Sequence, residues 1–132
     1  MTQIEVSAGV VYDPSGRVLI CRRKGKLDGL WEFPGGKREN GESFEACLRR
    51  ELMEELQLDV DVLGRLGEVV LSEQAPEIRL VFLKAQVLGN SKLTLCVHGK
   101  AAWVFPREFS GYTFCPADQL FLERFGACLI GL

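Results

Sequence analysis

The chain has 132 residues, of which 47% are hydrophobic and 26% charged, with a formal net charge of −2. That composition suits one globular domain over residues 1–132, large enough for a real core. It gives no electrostatic footing for duplex nucleic acid, and no apolar run approaches the ~18 residues of a membrane helix.

In chain order, Ile4 to Tyr12 alternates as a strand and lacks the basic start and apolar block of a signal peptide, so a cytoplasmic protein is expected. Asp13-Pro14-Ser15-Gly16 is a turn signal, and Arg17 to Arg23 reads as a second strand that closes a hairpin. Lys24 to Gly29 is a basic loop. Leu30 to Phe33 alternates apolar and polar residues, then breaks at Pro34-Gly35-Gly36 into a glycine-bearing loop.

A helix is predicted from Ser43, a good N-cap, to about Leu56, with no Gly or Pro between them. Phe44, Cys47, Leu48, Leu52 and Leu56 recur at helical spacing and define the face that packs on the core. At roughly 100° per residue, Glu55 projects close to the middle of that face. Glu51 lies one turn earlier on the same side, and Glu54 lies at its edge. Burying a carboxylate without compensation costs about 3 kcal/mol or more. Pairing with Arg49 or Arg50, a solvated acidic face with surface ion pairs, and a hard divalent cation held by clustered oxygens are the three ways to meet that cost.

After the helix, Val60 to Leu71 has strand character interrupted at Gly64 or Gly67. Ser72 to Glu77 is a polar loop. Ile78 to Val87 is the clearest strand, with Leu80-Val81-Phe82-Leu83 buried on both faces. Gly89-Asn90-Ser91 reads as a turn, Leu93 to Val97 and Ala101 to Phe105 as short strands, and Pro106 to Phe109 as one helical turn. Pro116 to about Cys128 reads as a second helix, with Leu120, Phe121, Phe125 and Leu129 in its apolar stripe. The five cysteines include no C-x-x-C pair, and reduced buried thiols explain them better than disulfides or zinc. A mixed sheet between helices, an α/β/α arrangement, buries all of these elements.

The stretch from Gly36 to Leu58 reads G-x5-E-x7-R-E-U-x-E-E-x-G-U, with U aliphatic, at every defined position but one. It resembles the signature of the Nudix hydrolases and is identified as a member of that family. The departure is Gln57, where the family has Gly. That position follows the helix and favours a left-handed backbone, which Gln adopts at a cost of roughly 1 kcal/mol. The resemblance implies the Nudix α/β/α sandwich and hydrolysis of a nucleoside diphosphate linked to another group, with Mg²⁺ or Mn²⁺. It implies that Glu54, Glu55 and the Gly36 carbonyl are metal ligands, and that Glu51 is a ligand or the base that activates water. Arg50 would orient a neighbouring carboxylate such as Glu42.

Outside the signature, Cys21-Arg22-Arg23, the run Trp31 to Lys37, and Phe114-Cys115-Pro116-Ala117-Asp118 resemble the MutT branch of the family. That likeness implies substrate contacts from Arg23, Lys37, Phe33 and Asp118. Phe33 either stacks on a base or fills the core. Asp118 either reads the base edge or stabilises the first turn of its helix. Many relatives carry a further Glu ahead of the Trp that here is Trp103; Val97-His98 stands in its place, with Glu73 or Glu77 as candidate substitutes.

The expected activity is metal-dependent cleavage of a nucleoside triphosphate to monophosphate and pyrophosphate, serving nucleotide-pool sanitation. Oxidised dGTP such as 8-oxo-dGTP, or CTP and modified dCTP, are the candidate substrates. The protein would act as a monomer or homodimer, without membrane or duplex nucleic acid. Hydrolysis of ADP-ribose or a dinucleoside polyphosphate, and a non-catalytic nucleotide-binding module, are the alternatives.

Overall fold

The structure is a computed structural model that describes residues 3–22, 29–73, 75–89, 93–94 and 99–129. The strands are β1 (Ile4–Tyr12), β2 (Val18–Arg22), β3 (Trp31–Glu32), β4 (Gly35–Lys37), β5 (Val60–Leu71), β6 (Ile78–Val87) and β7 (Lys100–Val104). The helices are α1 (Phe44–Leu56) and α2 (Pro116–Phe125), with 3-10 turns at Pro106–Gly111 and Gly126–Cys128.

These strands form one mixed sheet in the order β3-β2-β1-β6-β5, with β4 also on β1 and β7 also on β2. The long β1–β6 pairing is parallel, from Ile4↔Ile78 to Tyr12↔Gln86. Successive side chains of a strand point to opposite faces, so the central strands feed two cores. Val10, Val18, Ile20 and Phe82 pack with Phe121 of α2. Val11, Leu19, Val81 and Leu83 pack with Leu48, Leu52 and Leu56 of α1. Both faces are covered, which is the α/β/α architecture expected from the sequence.

The predicted hairpin forms, but β1 and β2 pair only at Tyr12↔Val18. The segment from Pro34 to Lys37 takes up the same edge of β1. Gly9 N–H donates to the Pro34 carbonyl at 2.7 Å, and Ser7 lies opposite Gly36 in an antiparallel register. A Cβ at Gly35 would sit 2.9 Å from Ala8 Cα and closer still to the Ser7 carbonyl, so only glycine permits this approach. The sequence read this stretch as a loop; it is strand β4, and it brings the glycine loop to the centre of the sheet. Val60 to Leu71 is one strand with register shifts at Val62/Gly64 and Arg65/Gly67, so the irregularity expected at one glycine or the other occurs at both.

Most of the strand expected over Leu93–Val97, most of the Lys24–Gly29 loop, and residues Arg23, Cys96 and His98 lie outside the described residues; Leu93 and Thr94, which are described, are not in a strand.

Candidate active site

Helix α1 starts as its sequence requires: Ser43 Oγ accepts the Ala46 N–H at 3.0 Å. It ends at Gln57 in the left-handed region, φ 52° and ψ 37°. Ser7 Oγ donates to the Phe44 carbonyl at 2.8 Å, which ties the buried start of α1 to β1. The helix therefore lies along β4, and Glu51 faces the glycine loop. A Cβ at Gly36 would fall 2.7 Å from Glu51 Oε1 and nearer to its carboxyl carbon. The Gly36 carbonyl accepts a hydrogen bond from Cys47 Sγ at 3.5 Å.

Arg50 organises the carboxylates. Its Nε and Nη2 donate to the two oxygens of Glu42 at 2.7 and 3.0 Å, a bidentate fork. Nη1 donates to Glu51 Oε1 at 2.9 Å and to Glu54 Oε1 at 3.0 Å, and Nη2 also reaches the Lys37 carbonyl at 3.0 Å. Glu42 in turn accepts the Glu39 N–H at 3.1 Å. These donors, Arg50 first, pull the Glu42 carboxyl down to about 2.

Glu55 stands in the opposite condition. Burial foremost, then the hydrogen-bonded carboxyl of Glu51 and the charges of Glu51, Glu32 and Glu54, push it up to about 9. Arg50 thus ties Glu51 and Glu54 together, and Glu55 joins the group through its hydrogen bond to Glu51, with a backbone carbonyl alongside. This all-oxygen donor set fits a hard divalent cation of the magnesium class. Glu32 was not singled out in the sequence, although a carboxylate between Trp31 and Phe33 in an apolar run was a signal. Of the suggested substitute acids, Glu77 accepts from Gln3 Nε2 at 2.6 Å and Glu73 lines a separate groove along α2.

Beside the glycine loop lies a cavity of about 540 Å³, within the range of small-molecule sites. Its wall includes Glu32, Phe33, Gly36, Lys37, Leu80 and Asp118. Asp118, 5% exposed, accepts the Phe33 N–H at 3.0 Å, so its bond runs to β3 and the adjoining loop. Of the two roles open for Phe33, the ring takes the core one. It is 3% exposed, stacks on Phe114 and meets Phe82, Phe109 and Phe121 edge-on. Lys37 is exposed at the cavity rim.

The NUDIX domain model matches residues 1–128 of the chain. A CTP pyrophosphohydrolase of Escherichia coli (strain K12) is 39% identical over 96% of this chain and 94% of its own. An 8-oxo-dGTP diphosphatase of Proteus vulgaris is 45% identical over 44% of this chain and 54% of its own. Among solved structures, the E. coli ORF135 protein has a TM-score of 0.83 at 33% identity, covering 96% of this chain and 91% of that one. The MutT protein from Methanosarcina mazei Go1 has a TM-score of 0.79 at 24% identity, over 95% and 94% of the two chains, a likeness of fold.

Proposed function

The chain belongs to the Nudix hydrolases, and we propose that it cleaves nucleoside triphosphates to monophosphate and pyrophosphate as a single catalytic domain over residues 1–132. Cytosine nucleotides are the first candidates, because the relative matched over nearly its whole length is a CTP pyrophosphohydrolase. Oxidised dGTP is the second, from the shorter match to an 8-oxo-dGTP diphosphatase. The observation that carries the reading is the clustering of Glu54 and Glu55 around Glu51, whose carboxylate lies over Gly36, a residue of the cavity that Glu32 and Asp118 also line.

Members of this family generally depend on a divalent metal, and Mg²⁺ or Mn²⁺ would be held here by Glu51, Glu54, Glu55 and the Gly36 carbonyl. When bound, such an ion neutralises polyphosphate charge and lowers the pKa of coordinated water. The protein's own contributions are positional. Gly36 keeps its face open, so that the Glu51 carboxylate can lie over the loop. Arg50, itself held by Glu42, fixes the oxygens of Glu51 and Glu54. Glu51 is placed to accept a proton from water at this cluster. Lys37 offers a cation to the phosphates, and Arg23 would add another. The base enters the cavity, where the Asp118 carboxylate, set by the Phe33 N–H, accepts hydrogen bonds from exocyclic amino or ring N–H groups. No helix among the described residues is long and apolar enough to cross a membrane.

The test is a nucleotide panel assayed with Mg²⁺ and scored for pyrophosphate. Turnover should vanish in Glu54→Gln and Glu55→Gln. Release of a phosphosugar from ADP-ribose in preference to pyrophosphate would redirect the substrate, and full turnover in both variants would remove the metal assignment.

A further inference from the structure

The cavity wall carries a second group of donors, of different chemistry from the acids of α1. Glu32, Cys115 and Asp118 each bring one ligand-type atom to within 4.8 Å of the others, and all three line the cavity. Cys115 and Asp118 are each 5% exposed. The neighbours of Glu32 hold the group together on both sides. The Trp31 carbonyl accepts the Cys115 N–H at 2.8 Å, and the Phe33 N–H donates to Asp118 Oδ1 at 3.0 Å. Strand β3 and the start of α2 are therefore clamped, with Glu32 between the two bonds.

We propose that Glu32, Cys115 and Asp118 form a second metal site, selective for a thiophilic dication of the zinc class. Two carboxylates and one thiolate match the borderline-soft ions that accept sulfur, whereas Mg²⁺ prefers oxygen alone. Around a tetrahedral ion, with bonds of about 2.3 Å to sulfur and about 2.1 Å to oxygen, the donors stand roughly 3.5 Å apart, so the triad closes by about 1 Å on binding. The thiol proton leaves to solvent as the metal–sulfur bond forms. The carboxylate of Asp118 is already oriented by a backbone donor, the kind of outer support that metal ligands have. The open cavity leaves the fourth position to water. The sequence pointed away from cysteine ligation because Glu32 and Cys115 are far apart in the chain and no short spacing announces them.

An ion here occupies the space assigned to the nucleobase. Zinc-class ions then act as inhibitors competitive with nucleotide, raising KM while kcat holds at saturating Mg²⁺. That consequence rests on the reading of the cavity given above; the metal site itself does not.

The experiment is a Cd²⁺ titration of the full chain at saturating Mg²⁺, in a background carrying Cys96→Ala and Cys128→Ala, the latter removing the exposed thiol among the described residues, read by the thiolate-to-cadmium absorption band. The band should saturate at a single equivalent and disappear in Cys115→Ser. Glu32→Gln and Asp118→Asn should each weaken Cd²⁺ binding on the order of tenfold or more. A band that survives Cys115→Ser, or that is lost instead in Cys47→Ala, overturns the site. A protein that hydrolyses nucleotides but lacks the Cys115-dependent band overturns this proposal and leaves the activity standing. The band without any turnover leaves the site and removes the activity.

Discussion

Gly36 lies directly beneath the carboxylate of Glu51, with no room between them for even a methyl group. The signature glycine is thus a steric requirement of the acid facing it. Gly36→Ala should force Glu51 aside or part β4 from α1. Overpacking of this kind costs about 1–3 kcal/mol. The expected result is a lower Tm together with weaker Mn²⁺ binding by calorimetry; unchanged Mn²⁺ affinity would show that Glu51 does not need this position.

Arg50 donates to Glu42, Glu51, Glu54 and the Lys37 carbonyl at once. Lysine keeps the charge but loses the planar fork. Arg50→Lys should therefore behave as a loss of outer support, with Mn²⁺ affinity down roughly 10- to 100-fold. Calorimetric titration of the variant checks it.

Glu42 and Glu55 titrate in opposite senses, which separates them by pH. The Glu42 carboxyl lies at about 2 in the folded protein, below its unfolded value of 4.5. Its contribution to stability is present above 4.5 and is lost as pH falls toward 2. Metal-free Glu42→Gln should accordingly show a shallower loss of Tm across that acid range than the parent protein.

Glu55 is raised to about 9, so in the metal-free protein stability declines as pH climbs from 4.5 toward 9 and the folded state is forced to release the proton. Glu55→Gln should be more stable than the parent at alkaline pH without metal, by several degrees in Tm. The same substitution should abolish turnover, a direct trade of stability against function.

Gln57 holds the left-handed position after α1 at φ 52°. Gln57→Gly should raise stability by about 1 kcal/mol in denaturant unfolding and leave kcat unchanged. A fall in stability would mean that the Gln side chain contributes more than its backbone costs.

Local chemistry was legible in the sequence where one segment determined it. Ser43 as cap, the apolar stripe of α1, the left-handed Gln57, the breaks at Gly64 and Gly67 and the start of α2 at Pro116 all followed from short-range rules. Strand β4 did not, because two successive glycines are weak strand formers, and only the Val6–Ala8 backbone opposite it makes the pairing. The environment of Glu32 was hidden for a related reason. Its closeness to Cys115 and Asp118 is created by β3 docking against the start of α2, a contact between distant segments. For Phe33 the sequence left base stacking and core filling both open, and four other phenylalanines from distant segments supply its surroundings.

The central claim is that Glu51, Glu54 and Glu55 cluster on one side of α1 because they take up a divalent cation together with a polyphosphate. Calorimetric titration of Mn²⁺ into the protein, with and without a non-hydrolysable nucleoside triphosphate, tests it most directly. The account predicts saturable uptake that tightens with nucleotide and is lost in Glu54→Gln and Glu55→Gln. Absence of uptake under both conditions, or uptake indifferent to those two substitutions, contradicts it.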